Sequence, residues 1–106
     1  MGGPLTARKW VGDVVLPDEV LQDGAVVAVG ETIAWVGAEA DLPAQWRELE
    51  PSNPAAAGRT LLLPGLVDVH CHGGGGVSFP DAANVDEVRV AAGEHLRHGT
   101  TTLVAS

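Results

Sequence analysis

Apolar and β-branched positions fall in short runs separated by glycine and proline over the first half of the chain. Ala25 to Val29 and Thr32 to Val36 flank Gly30-Glu31, a Gly-X pair suited to a two-residue type II′ turn, and predict a β-hairpin. Trp10 to Leu16 is an earlier strand candidate, ended by Pro17 and set apart from the hairpin by the turn signal Asp23-Gly24. Asp41 is placed to cap a short helical stretch around Pro43 to Leu49, because a proline in the first turn forfeits no helical hydrogen bond. Glu50 to Gly58, with Pro51, Pro54 and Ala55-Ala56-Ala57, reads as a connection, with a helical turn through the alanines as its alternative. The expected division is residues 1–59, part of a small β-domain plus linker, and residues 60–106.

The second half reads differently. Thr60 to Leu63 is a short apolar run broken by Pro64-Gly65, and Leu66 to His72 is strand-like and runs into Gly73-Gly74-Gly75-Gly76. From Asn84 the spacing becomes helical: Val85, Val88, Ala92 and Leu96 would share one face. Asn84 with Glu87 three residues on resembles a capping box, and Gly99 stands where a glycine ends a helix. Thr100 to Ala105 is again apolar and β-branched, so strand, loop, helix and strand predict one βαβ unit with parallel strands.

Composition narrows the function. Six Lys plus Arg against fourteen Asp plus Glu give a formal charge of -8, which removes the electrostatic drive for binding nucleic acid or an acidic membrane surface. No apolar run approaches the ~18 residues of a membrane span. Cys71 is the single cysteine and can form no intramolecular disulfide, and no basic segment followed by an apolar one opens the chain, so a cytoplasmic setting is expected. At 106 residues the chain is also far short of the ~250 that a (β/α)₈ barrel takes.

In Asp68-Val69-His70-Cys71-His72 the strand period of two puts Asp68, His70 and His72 on one face and Val69 and Cys71 on the other. Two imidazoles at i and i+2 can both direct a ring nitrogen at one divalent cation, although such a pair can equally be two polar residues at a strand end. The glycines that follow can bring backbone amides to a phosphate or acyl oxygen, or simply form a flexible loop. No Lys-Ser or Lys-Thr follows them, which excludes a Walker phosphate loop. His72-Gly73-Gly74-Gly75 matches the oxyanion-hole motif of lipases and esterases, but no Gly-x-Ser-x-Gly nucleophile elbow is present. Cys71 reads as a small buried apolar residue, His95 and His98 as cap or solvated positions near a helix end, and Trp35 as core of the β-unit.

The run Leu63-Pro64-Gly65-Leu66-Val67-Asp68-Val69-His70-Cys71-His72 resembles the first-barrel-strand signature of the amidohydrolase superfamily. Within it, His72-Gly73-Gly74-Gly75-Gly76-Val77 and His98-Gly99-Thr100-Thr101-Thr102 resemble the N-acetylglucosamine-6-phosphate deacetylase family. Asp23-Gly24-Ala25-Val26-Val27 and Thr32-Ile33-Ala34-Trp35-Val36-Gly37 look like the small β-domain that precedes the barrel.

The resemblance implies an α/β fold: the N-terminal portion of a (β/α)₈ TIM-type metal-dependent hydrolase barrel, preceded by part of a small β-sandwich-like domain. It makes His70 and His72 metal ligands at the C-terminal mouth of the first barrel strand, Asp68 a supporting residue, and Gly73, Gly74, Gly75 and Gly76 a candidate substrate loop. The implied cofactor is a divalent metal, zinc or iron, as one or two ions. The implied reaction is hydrolysis of N-acetylglucosamine 6-phosphate to glucosamine 6-phosphate and acetate in amino-sugar catabolism. The remaining ligands and the general base are expected beyond Ser106, so no catalytic residue is assigned within the chain, which is expected to be an inactive fragment by itself. The partner is a small amino-sugar phosphate, with no nucleic acid and no membrane, and the family resemblance implies a homodimer. The alternatives are another amidohydrolase, acting as a cyclic amide hydrolase or deaminase, and a non-enzymatic metal-binding or interaction module built on His70 and His72.

Overall fold

The computed structural model describes residues 5–55 and 57–106. The chain divides into two compact units that part between Leu63 and Pro64.

The first unit is a four-stranded sheet of order β3-β2-β1-β4, formed by β1 (Ala7–Val15), β2 (Val20–Val29), β3 (Thr32–Ala38) and β4 (Leu61–Leu62). The hairpin between β2 and β3 turns at Gly30-Glu31, and Gly30 takes φ +60° while Glu31 stays out of the left-handed region, as a type II′ turn requires. The reversal between β1 and β2 does not lie at Asp23-Gly24, where the sequence signals a turn. It is a tighter loop in which the Leu16 N–H donates to the Glu19 carbonyl at 2.8 Å. Asp23 instead sits inside β2 at φ +50°, where the β1–β2 register shifts by one residue: a bulge uses the same left-handed tolerance that a turn does.

The short helical stretch expected around Pro43 to Leu49 is a 3₁₀ turn, Ala44–Trp46, and another such turn, Glu39–Asp41, precedes it. Asp41 ends the earlier turn and caps nothing, while Pro43 precedes the later one without a side-chain cap. The chain then runs along the free edge of β1 rather than away from it. Pro51 pairs with Lys9, the Ser52 N–H donates to the Lys9 carbonyl, and the Asn53 amide both accepts from the Val11 N–H and donates to the Val11 carbonyl, at 2.9 and 3.0 Å. β4 continues the pairing in parallel at Asp13 and Val14. An otherwise open edge is thereby covered, and this is why the units part at Leu63 and not near Arg59, where the composition changes. The alanine turn considered for Ala55 to Ala57 rests on residue 56, which lies outside the described residues. Ala25, Val27 and Leu42 form the buried centre of the unit, with Val11, Val29, Trp35 and Trp46 packed around them.

The second unit holds β5 (Leu66–Cys71) and β8 (Thr100–Ala105) as a parallel pair, with α1 (Val85–Arg97) in the connection. The glycine run is not a structureless loop. β6 (Gly73–Gly74) and β7 (Val77–Ser78) form a small antiparallel hairpin, and its two turn residues, Gly75 and Gly76, take φ +58° and +84°. Positive φ at both central positions is the type I′ requirement that glycine meets without strain. α1 begins as its sequence predicts: the Asn84 side chain accepts from the Glu87 N–H at 3.0 Å, and Glu87 accepts in turn from the Ala83 N–H. The face it buries differs from the apolar stripe. Ala91 is fully buried, whereas Val85 and Leu96 are more than half exposed, because a two-stranded sheet with a small hairpin covers only one narrow strip of the helix.

Candidate metal centre

His70 lies on β5, and His72 is the single residue between the end of that strand and the hairpin. The His70 and His72 rings project to the same side and meet edge to face, with centroids 4.7 Å apart and planes at 86°. Their Nε2 atoms are 3.0 Å apart. Two imidazole lone pairs cannot face each other at that distance, so one ring donates to the other or both share a cation. The separation lets both nitrogens reach one ion at the ~2.0–2.1 Å of a zinc–nitrogen bond, so the donor set fits a divalent metal. Both rings are exposed, and Ser106 Oγ lies 3.2 Å from His70 Nδ1, the nitrogen that faces away from the pair.

Asp68 supports this arrangement through the backbone: its Oδ1 accepts from the His70 N–H at 3.1 Å. It does not share the histidines' face as strict alternation predicts. Between Asp68 and Cys71 the register with β8 shifts, three steps on β5 matching two on β8. The bulge brings the Asp68 carboxylate, Cys71 Sγ and a His95 ring nitrogen within 4.8 Å of one another. Cys71 is buried, as its sequence reading holds. His95 is not a cap or a solvated residue: from the last turns of α1 its Nε2 lies 2.7 Å from the Gly73 carbonyl oxygen and 3.3 Å from Cys71 Sγ. The signal for it was the i, i+4 relation to Ala91, a small residue on the same face of the helix. His98 does stay outside, with Nδ1 near the Glu94 carbonyl.

A forked ion pair lies in the first unit. Arg59 donates through Nε and Nη2 to the two carboxylate oxygens of Asp13 at 2.6 and 2.7 Å. That fork, with a further bond from the Asp23 N–H, holds the Asp13 carboxyl below the usual carboxylate range. Asp13, Arg59 and Asn53 line a cleft of about 650 Å³, and its wall is the segment that covers the edge of β1. Asp13 therefore ties the end of that segment to the sheet.

No protein-family model matches the chain. It is similar to the imidazolonepropionase of Cupriavidus pinatubonensis, 48% identical over 56 residues, which are 53% of this chain and 12% of that protein. The imidazolonepropionase of Cupriavidus taiwanensis is 45% identical over 76 residues, 68% of this chain and 18% of the relative. That of Roseobacter denitrificans is 32% identical over 94 residues, 82% and 23%. Among solved structures the chain is similar to a point mutant of N-acetyl-D-glucosamine-6-phosphate deacetylase from Mycobacterium smegmatis in complex with N-acetyl-D-glucosamine-6-phosphate. The TM-score is 0.62 and the identity 34%, over 97% of this chain and 24% of that one. The chain thus spans less than a quarter of the length of each of these relatives.

Proposed function

Since the chain is homologous to enzymes of the amidohydrolase superfamily and has the fold of their N-terminal region, we propose that it forms the front of a metal-dependent amide hydrolase that deacetylates N-acetylglucosamine 6-phosphate. The observation that carries this reading is the likeness to the mycobacterial deacetylase, which extends over nearly the whole chain. His70 and His72 are its metal ligands, Asp68 holds the backbone of the first of them, and the Gly73 to Ser78 hairpin borders the substrate. His70 and His72 would hold a divalent ion there, which would supply Lewis acidity toward the amide carbonyl and lower the pKa of a water. Water then cleaves the acetamido C–N bond, giving acetate and glucosamine 6-phosphate. The general base belongs to residues beyond Ser106.

A second reading is favoured by the curated relatives, whose name points to imidazolonepropionate, a cyclic amide. The two readings differ in the bond cleaved, and one experiment separates them. The protein expressed from the complete native reading frame is incubated with each substrate in turn. Release of glucosamine 6-phosphate and acetate from the sugar phosphate, with imidazolonepropionate left intact, is the expected result; ring opening of imidazolonepropionate alone would replace the deacetylase reading with the second.

A further inference from the structure

Asp68, Cys71 and His95 stand close enough together to suggest a second metal site, but the bonding of His95 argues for a different role. Its Nε2 lies 2.7 Å from the Gly73 carbonyl oxygen, which can only accept, so Nε2 carries a proton and offers no lone pair to a cation. The same N–H faces Cys71 Sγ. Cys71 and Gly73 are the residues on either side of His72.

Three successive carbonyls around His72 each have a partner. Cys71 O accepts from the Ser106 N–H and His72 O from the Phe79 N–H, both at 2.8 Å, and Gly73 O accepts from His95. The first two donors are backbone groups that no side-chain change removes. The third is a helix side chain, and it acts at Gly73, which adopts φ +148° and has no side chain of its own to restrain it. The fit is close: a Cβ on Gly74 would come within 2.8 Å of His95 Nε2.

We infer that His95 is a positioning residue for His72, fixing through the Gly73 carbonyl the backbone from which that ring meets His70. The inference rests on the proposed metal role of the pair. An exposed imidazole presents its nitrogen at one point only if the backbone around it is held, and truncating His95 leaves the Gly73–Gly74 peptide, the second after His72, with only the Cys71 thiol at 3.7 Å. Outer contacts of this kind typically change metal affinity by 10–100-fold, and one that acts through the backbone belongs near the lower end, about tenfold.

The test uses the metal-free protein from the complete reading frame, titrated with Co²⁺ against a competing chelator and followed by the cobalt absorption bands. Four variants accompany the wild type: His95→Ala, His95→Gln, Gly74→Ala and the pair variant His70→Ala/His72→Ala. About tenfold weaker binding and altered bands in His95→Ala and Gly74→Ala, with recovery in His95→Gln, which keeps an N–H donor, is the expected result. Should His95→Ala not fold, comparison of Gly74→Ala with His95→Gln decides the matter alone. Unchanged Co²⁺ affinity in His95→Ala or Gly74→Ala overturns the positioning role, as does His95→Gln binding no better than His95→Ala. Equal binding by the wild type and the pair variant instead overturns the ligand reading itself, and the role of His95 with it.

Discussion

Val27→Ala is the most direct probe of the first unit. Val27 is the largest fully buried side chain among the described residues; it lies on β2 between Lys9 on β1 and Trp35 on β3, and packs with Ala25 and Leu42. Removing two methyl groups forfeits about 1.6 kcal/mol of transfer free energy at ~0.8 kcal/mol each. A residual cavity of ~50 Å³ adds ~1.2 kcal/mol if the neighbours do not close in. The expected loss is therefore about 2–3 kcal/mol, a large share of the ~3–9 kcal/mol that a unit of this size holds in total. Trp10, Trp35 and Trp46, the only tryptophans of the chain, all lie in this unit, so tryptophan fluorescence during urea unfolding reports on it selectively. Val20→Ala, at a position 52% exposed on the same strand, is the control and should shift the transition by less than ~0.5 kcal/mol. A Val27→Ala loss no larger than that of the control would refute the assignment of this cluster as the core.

The Arg59–Asp13 pair predicts an acid-dependent contribution to stability. Because the folded carboxyl is lowered, the contribution is fully present above the unfolded value of about 3.9 and is lost as pH falls through the lower folded value. Arg59→Gln should therefore lower the urea midpoint at pH 7 and 5 and converge with the wild type toward pH 2; a constant difference across that range contradicts it. Asn84→Ala removes the cap of α1 and should cost about 1 kcal/mol, with faster hydrogen exchange at the Glu87 amide as the local signature. Unchanged exchange there would mean that the cap is not formed. Gly75→Val places a β-branched residue at φ +58° in the hairpin turn and should destabilise the Gly73 to Ser78 pairing, read by amide exchange at Phe79, whose N–H donates to the His72 carbonyl; unchanged protection contradicts the I′ turn.

What was legible in the sequence followed from local rules. The Gly30-Glu31 turn and the Asn84 cap are each decided by a few neighbouring residues, and both formed as their patterns predict. Asp23-Gly24 shows the limit of such rules, since left-handed tolerance serves a bulge as well as a turn and only the pairing of β1 with β2 distinguishes them. The covered edge of β1 was illegible because it depends on the Asn53 side chain acting as a strand partner for Val11, 42 positions away in sequence. At the candidate site, the shared orientation of His70 and His72 follows from the strand period, while the displacement of Asp68 follows from a bulge set by β8. His95 was hidden because its partner is a backbone carbonyl on a different element, which no residue type announces.

The proposed role of His70 and His72 is to hold a metal ion. The most direct measurement is the metal content, by elemental analysis, of the protein from the complete reading frame and of its His70→Ala/His72→Ala variant, both purified without chelator and checked for folding. At least one equivalent of a divalent transition metal is expected in the first and one equivalent less in the second. Equal metal content in two equally folded proteins would contradict that role.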